Sequence, residues 1–278
     1  MQTLSRSVGR ASDAAEPLPM PFTTWQSRGI RFRRSSVSMI AGLPASYKTM
    51  LTLNLIVGMK VPTLAFNTDS SLETVRARLL AIASGRPTEE TESWPFSQPQ
   101  KAAELLSAYD FLKCDFRPDP TLDDIWLETY AYAEVHGRWP EQIVIDIVSD
   151  VGHEAGDEWA TLRDLMRQSK VLARDTGAHV LLVHHASDSP GTKRPCPRRS
   201  DIHGKVAAIP ELIITCGMDD MGRLCAACVK NRHAKADKDA NDFFPMDLHA
   251  ERASVGDWTQ ISMPHAFAAW DDQQGRNW

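Results

Sequence analysis

No stretch of this sequence is apolar for long enough to cross a bilayer. The longest uncharged apolar stretch, around MLTLNLIVGM, is far short of the roughly 20 residues that a spanning helix needs. The N-terminal MQTLSRSVGRASDAAEPLP lacks the apolar segment of a secretory signal. The five cysteines are therefore expected to be reduced thiols in a cytoplasmic protein, with no disulfide framework. Cys225 and Cys228 have the C-x-x-C spacing of zinc ligands, but no second pair follows. LCAACV reads instead as a buried strand that sends the two thiols to opposite faces. Positive charge is also in short supply. A net charge of -5 excludes a uniformly basic nucleic-acid binder, so any DNA contact must come from local patches.

Core material is plentiful, with 42% apolar residues in a chain of 278. Strand-length runs alternate with helical patterns: SVSMIA from Ser36, TLAFN from Thr63, DFLKC from Asp110, QIVID from Gln142, HVLLVHH from His179, ELIITC from Glu211 and LCAACVK from Leu224. Strands separated by helices imply crossover connections, hence an α/β fold with a mainly parallel, twisted sheet flanked by helices. Ser70 with Glu73 predicts a capped helix running to Gly85, and Thr121 with Asp124 predicts another ending near Gly137. A third is predicted from about Asp157 to Thr176, with Gly177 as its stop. Residues 1–20 read as a flexible leader, 86–100 as a surface loop, 21–262 as the folded domain and 263–278 as a tail.

Chemistry concentrates after the first strand. Gly42-Leu43-Pro44-Ala45-Ser46-Tyr47-Lys48-Thr49, with Met50 opening a helix, follows the G-x-x-x-x-G-K-[ST] pattern of a phosphate-cradling loop, except that Tyr47 replaces the second glycine. Gly42 permits the sharp exit from the strand. Loop N–H groups and the helix N-terminus bind phosphate, Lys48 adds charge at the β- and γ-phosphates, and Thr49 ligates Mg²⁺. Tyr47 is expected to have ordinary right-handed helical backbone, which would make its side chain harmless there. Asp146, ending the buried QIVID, is a second candidate metal ligand, although many buried strands end in Asp. Asp69, just beyond TLAFN, reads either as a carboxylate that orients the attacking water or as a helix cap beside Ser70.

The order of these motifs resembles the RecA-like ATPase domain of DnaB-type replicative helicases and their phage and plasmid relatives, over roughly residues 31–248. In AFNTDSSLETVRARLLAIASG, Asp69 takes the place of that family's catalytic glutamate, and DIVSD supports Asp146 as the Walker B residue. VLLVHH places His184 and His185 where the family has a γ-phosphate sensor, and His185 is favoured. Lys230-Asn231-Arg232 is similar to the family's Lys-x-Arg finger, which acts on the neighbouring subunit's nucleotide and so implies a homo-oligomeric ring or filament.

The segment from Ser187 to Lys205 carries Lys193, Arg194, Arg198, Arg199 and Lys205, and reads either as a DNA-binding loop or as a solvated basic loop. The resemblance thus implies an ATP- and Mg²⁺-dependent DNA motor of replication or recombination, helicase-like and DNA-stimulated, acting on single-stranded DNA. It would work in the cytoplasm, that of the host if phage-encoded. The helical N-terminal collar of full replicative helicases has no counterpart in the sequence, which favours a stand-alone ATPase. Two alternatives are a RecA-like recombination or annealing ATPase and a non-hydrolysing, nucleotide-dependent DNA-binding or loading protein.

Overall fold

A computed structural model describes residues 16–152, 158–187 and 194–258 of the protein. Nine strands form one sheet in the order β3-β2-β4-β5-β1-β6-β7-β8-β9. They are β1 (Val37–Gly42), β2 (Thr63–Asn67), β3 (Leu112–Asp115), β4 (Gln142–Asp146), β5 (His179–His185), β6 (Leu212–Met218), β7 (Leu224–Asn231), β8 (Phe243–His249) and β9 (Ser254–Asp257). From β3 to β6 every pairing is parallel, and from β6 onward every pairing is antiparallel.

The helices are α1 (Thr23–Ser27), α2 (Lys48–Met59), α3 (Leu72–Ser84), α4 (Thr88–Thr91), α5 (Trp94–Ser97), α6 (Pro99–Ser107), α7 (Leu122–His136) and α8 (Glu158–Thr176). Strand alternation splits the core between the two faces of the sheet. Met39, Ile143, Ile145, Leu182 and Ile213 join Ile125, Leu165 and Met166 of α7 and α8 on one face. Ile40, Val144, Leu181 and Ile214 join Trp25 of α1 and Leu51 and Leu55 of α2 on the other. Cys225 and Cys228 fall into opposite clusters, and both are free thiols. Among the described residues, no helix is long and apolar enough to cross a membrane.

Several sequence expectations are corrected. Residues 86–100 do not form a plain loop: α4 and α5 lie there, because Pro87 and Pro95 are tolerated at helix starts and Trp94, 2% exposed, anchors the turn against Leu80 and Ala102. The capping serine of α3 is Ser71, whose hydroxyl accepts from the Thr74 N–H at 3.3 Å, so Ser70 and Glu73 form no capping box. The box at Thr121 and Asp124 is present as expected. The leader boundary at residue 20 falls too late, since Leu18 and Met20 are buried and Leu18 N–H bonds the Phe32 carbonyl at 2.7 Å.

Strands β8 and β9 carried too little signal to be foreseen. Pro245 interrupts FFPMDLH, yet β9 pairs only with Met246–His249, so the missing N–H removes no ladder bond on that side. Asp257, at the end of β9, accepts from Thr23 N–H at 2.6 Å and Thr24 N–H at 3.0 Å, tying the last strand to the first helix.

Candidate nucleotide site

Parallel strands send their carboxyl ends the same way, and in this sheet β2, β4, β5 and β1 lie side by side. The loop after β1, Asp69 after β2, Asp146 ending β4 and His185 ending β5 therefore share one rim, the usual ligand edge of an open α/β sheet. Gly42 and His185 are register partners. Asp146 pairs with Asn67 of β2. Thr68 locks the two exits together: its N–H donates to the Asp146 carbonyl at 2.8 Å, and its hydroxyl accepts from Ile147 N–H at 2.8 Å. That brace places Asp69, the next residue, beside the end of β4.

The loop itself is tightly built. A Cβ on Gly42 would overlap the Ser46 hydroxyl and lie 2.6 Å from the Cys216 carbonyl, so only glycine fits under β6. The Cys216 thiol, pushed up to about 11 by burial, is inert packing behind the loop. Lys48 is 6% exposed and donates to the Leu43 carbonyl at 2.8 Å. Burial lowers its pKa, opposed by the negative neighbours Asp146 and Asp69. No side chain caps α2, which leaves the N–H groups of its first turn to a ligand.

Tyr47 overturns one expectation. Its φ and ψ are 60° and 23°, left-handed and not right-handed helix, so the residue adopts the conformation for which the motif's glycine is suited. Ala45 is left-handed as well, at φ 60°. The Tyr47 ring is half-buried against the apolar cluster beneath α2.

Asp146 is 3% exposed, and burial pushes its pKa up to about 6. Its carboxylate takes a hydrogen bond from Thr49, while Oδ1 is buried with no hydrogen-bond partner among the described residues. A buried, unpartnered carboxylate oxygen beside a threonine hydroxyl is a hard-oxygen donor set suited to Mg²⁺, which keeps several waters and needs few protein ligands. Among the described residues, no group of three or more His, Cys, Asp or Glu is placed to hold a metal ion. Arg78 of α3 was not singled out from the sequence. Its guanidinium is largely buried, which lowers its pKa, and it is held in the field of Asp146 and Asp69 with one Nη1 group unpartnered. Its position nine residues after Asp69, on the inward face of an amphipathic helix, was the available signal.

The two histidines diverge. His184 is 1% exposed, 3.2 Å from the His203 carbonyl through Nε2, and burial lowers its pKa to about 4. His185 is half-buried, and its pKa is lowered by burial and by Lys48, with Asp150 and Asp69 also in its field. The charge of Lys48 reaches both rings, but His185 is the one that also lies in the field of Asp69 and Asp150. Both line a cleft of about 620 Å³ between α7, α8 and the ends of β4 and β5.

The Lys-x-Arg stretch ends β7 where that antiparallel strand meets the start of β6, at the opposite end of the sheet from the phosphate loop. Lys230 donates to the carbonyls of Ala207 and Ala208 at 2.8 and 2.7 Å, whereas Arg232, 53% exposed, pairs with Glu211 at 2.9 Å. Neither residue joins this chain's own site. Of the basic segment, Lys193 lies outside the described residues. Residues 188–192 lie outside them as well, and of the described cations Arg194 bonds the Asp239 carbonyl, Arg198 is half-buried, and Arg199 and Lys205 are exposed.

Comparison with known proteins agrees with this geometry. A family described as an AAA domain matches residues 19–190. The gene 65 protein of Mycobacterium phage L5 is 29% identical over 272 residues, covering 94% of this chain and 98% of its own. That of Mycobacterium phage D29 is 26% identical over 231 residues, covering 79% and 98%. Among solved structures, a DnaB-like replicative helicase, described together with its interactions with primase, superposes with a TM-score of 0.76 at 14% identity over 92% of this chain. The present chain spans 65% of that helicase's length. A separately solved ATPase domain gives 0.77 at 14% identity, covering 92% of this chain and 96% of its own. A KaiC-like protein from Pyrococcus horikoshii gives 0.62 at 10% identity, with coverages of 88% and 100%. The fold is RecA-like, that of helicase ATPase domains.

Proposed function

The chain belongs to the AAA domain family, and on that premise we propose that it is an ATP-hydrolysing, helicase-like motor that acts on DNA as a homo-oligomer. One observation carries the reading. Lys48, Thr49, Asp69 and Asp146 converge from three strands on one rim, with Asp146 Oδ1 buried and unpartnered as though waiting for a cation.

In this reading the amino end of α2 and Lys48 hold the β- and γ-phosphates, so Lys48 exchanges the Leu43 carbonyl for phosphate oxygens. Thr49 and Asp146 would hold Mg²⁺, which when bound would supply positive charge to offset that of the β- and γ-phosphates. Asp69 orients a water and takes its proton as the water oxygen attacks the γ-phosphorus in line. The bond to the bridging oxygen breaks, and ADP departs with the electron pair. Asp69 is exposed in the isolated chain. A neighbouring copy would both exclude solvent there and bring its Arg232, which explains why this cation lies far from its own phosphate loop. His185, between the loop and the basic segment on the same strand exit, relays the state of the γ-phosphate to the groups that hold DNA. These include Arg194, Arg198, Arg199, Lys205 and Lys193. The phage origin of both curated relatives supports action in a host cytoplasm.

The test is phosphate release by purified protein, with and without single-stranded DNA. Turnover that rises with DNA and disappears in Lys48→Ala is expected. Nucleotide binding without any turnover would instead favour a non-hydrolysing loader, and turnover that survives Lys48→Ala would remove the assigned site. Strand displacement on a forked duplex then separates a helicase from a recombination ATPase.

A further inference from the structure

At the end of β7, away from the nucleotide rim, a second open groove of about 610 Å³ runs between the strand and the turn 235–242. Arg199, Lys230, Lys235 and Lys238 line it, together with Asp237, Asp239 and Asp242. Counting charges alone would make it nearly neutral, but the carboxylates are already engaged. Asp237 accepts the N–H groups of Asp239, Asn241 and Asp242 at 3.0, 2.7 and 3.0 Å. Asp242 pairs with Arg28 at 2.8 Å, and Asp239 pairs with Lys238 at 3.2 Å. Among the described residues, neither Arg199 nor Lys235 forms an ion pair. Asp237 keeps its charge, but with Asp242 paired to Arg28 and Asp239 to Lys238, it faces Arg199, Lys230 and Lys235, and the groove carries an excess of positive charge.

Lys230 feels part of this charge: its pKa is lowered first by burial and then by the like charges of Arg232 and Arg199, with Glu211 opposing them. The cations are also held in place. Arg199 N–H donates to the Lys238 carbonyl at 3.0 Å, Asp237 N–H donates to the Cys228 carbonyl at 2.9 Å, and the Arg194 guanidinium bonds the Asp239 carbonyl. Those bonds fasten the end of the basic segment to the turn after β7, so that Arg194 and Arg199 lie beside Lys235 and Lys238.

We propose that this groove binds the phosphodiester backbone of a nucleic-acid strand, extending the surface of the basic segment with two lysines, Lys235 and Lys238, that lie beyond it. No aromatic ring lines the groove, so it offers bases no stacking platform, and the open cationic walls suit the backbone, which is bound without regard to sequence. The inference rests on the DNA-binding part of the proposed function.

The test is fluorescence anisotropy of a labelled oligothymidine across a salt titration, with the full chain and a non-hydrolysable ATP analogue present. Lys235→Glu, alone and with Lys238→Glu, is compared with Lys113→Glu, which makes the same charge change on the opposite edge strand. The expected result is a fall of about fivefold to tenfold in affinity for Lys235→Glu. Its log–log salt slope should become shallower by about 0.7 for each phosphate that is no longer neutralised, with the wild-type slope retained in Lys113→Glu. A wild-type slope in the double variant overturns the groove while leaving the DNA reading intact. Loss of DNA-free turnover with unchanged oligonucleotide binding also overturns it, because the groove would then serve a neighbour's triphosphate. If the wild-type chain binds no oligonucleotide at any salt concentration, the DNA reading itself fails and the groove falls with it.

Discussion

The ammonium of Lys48 donates a 2.8 Å hydrogen bond to the carbonyl of Leu43, so the phosphate loop is closed on its own backbone. A triphosphate has to take over that bond, and the exchange is favourable because a charged acceptor replaces a neutral one. Lys48→Ala should lower nucleotide affinity about 10-fold to 100-fold, the worth of one charge-assisted hydrogen bond, and reduce turnover below detection. Titration with a fluorescent ATP analogue reads the first effect and phosphate release the second.

Tyr47 immediately precedes that lysine with left-handed backbone, a conformation costing an L-residue roughly 1–2 kcal/mol. Tyr47→Gly removes the strain but also the half-buried ring, and it increases unfolded-state freedom. The melting temperature should therefore move by only a few degrees, with nucleotide affinity within about threefold of wild type. Tyr47→Ile, β-branched at the same φ, should melt lower and bind more weakly. Loss of binding in Tyr47→Gly would show that the ring itself contacts the nucleotide.

That residue illustrates what could be read from sequence. Strand, loop, Lys-Thr and helix identified the site because each constrains its neighbours, whereas the left-handed backbone at Tyr47 was marked by the motif's second glycine and masked by the tyrosine that replaces it. Asp146 was legible as the end of an apolar run. The role of Arg78 depends on which face of α3 turns inward, and the Thr68 brace on which strand lies next to β2. The cap of α3 moved by one residue because two adjacent serines are locally equivalent. The helices over residues 88–97 were obscured by Pro87 and Pro95, residues that usually mark loops but here start helices around a buried Trp94. Lys230 looked as available as Arg232 in the sequence. Only the three-dimensional placement of Ala207 and Ala208 reveals that its ammonium is already occupied.

Asp146 should make the protein sensitive to pH in a defined direction. Burial raises its folded-state pKa to about 6, so folding takes up a proton below that value. Its contribution to stability is therefore full in acid and lost as the pH rises through about 6, where a buried charge costs on the order of 3 kcal/mol in the absence of metal. Asp146→Asn should accordingly melt higher than wild type at pH 8 in chelator, and the gap should shrink as the pH falls from 6 towards 4. The same variant should lose turnover, because the amide is a poor Mg²⁺ ligand. Equal melting temperatures at pH 8 would contradict a carboxylate whose burial outweighs the Thr49 hydrogen bond and the charges of Lys48 and Arg78.

Arg232 offers the sharpest test of assembly. It directly follows β7 at the opposite end of the sheet from Lys48, exposed and, among the described residues, paired only with Glu211. An ion pair that exposed is worth little, so releasing Glu211 to reach a neighbour's γ-phosphate costs about 1 kcal/mol or less. Removal of such a cation from a transition state is expected to lower turnover by about 10³-fold or more. Arg232→Ala should therefore be nearly inactive while still binding nucleotide as wild type does. Lys48→Ala fails at the opposite side of the interface, so mixed assemblies should contain some junctions with an intact loop on one copy and an intact arginine on the next. Recovered turnover on mixing the two inactive proteins is the expected outcome. The complementary measurement is mass photometry of the mixture, which verifies that mixed oligomers have formed. Mixed oligomers without recovered turnover would rule Arg232 out as a residue acting across the interface.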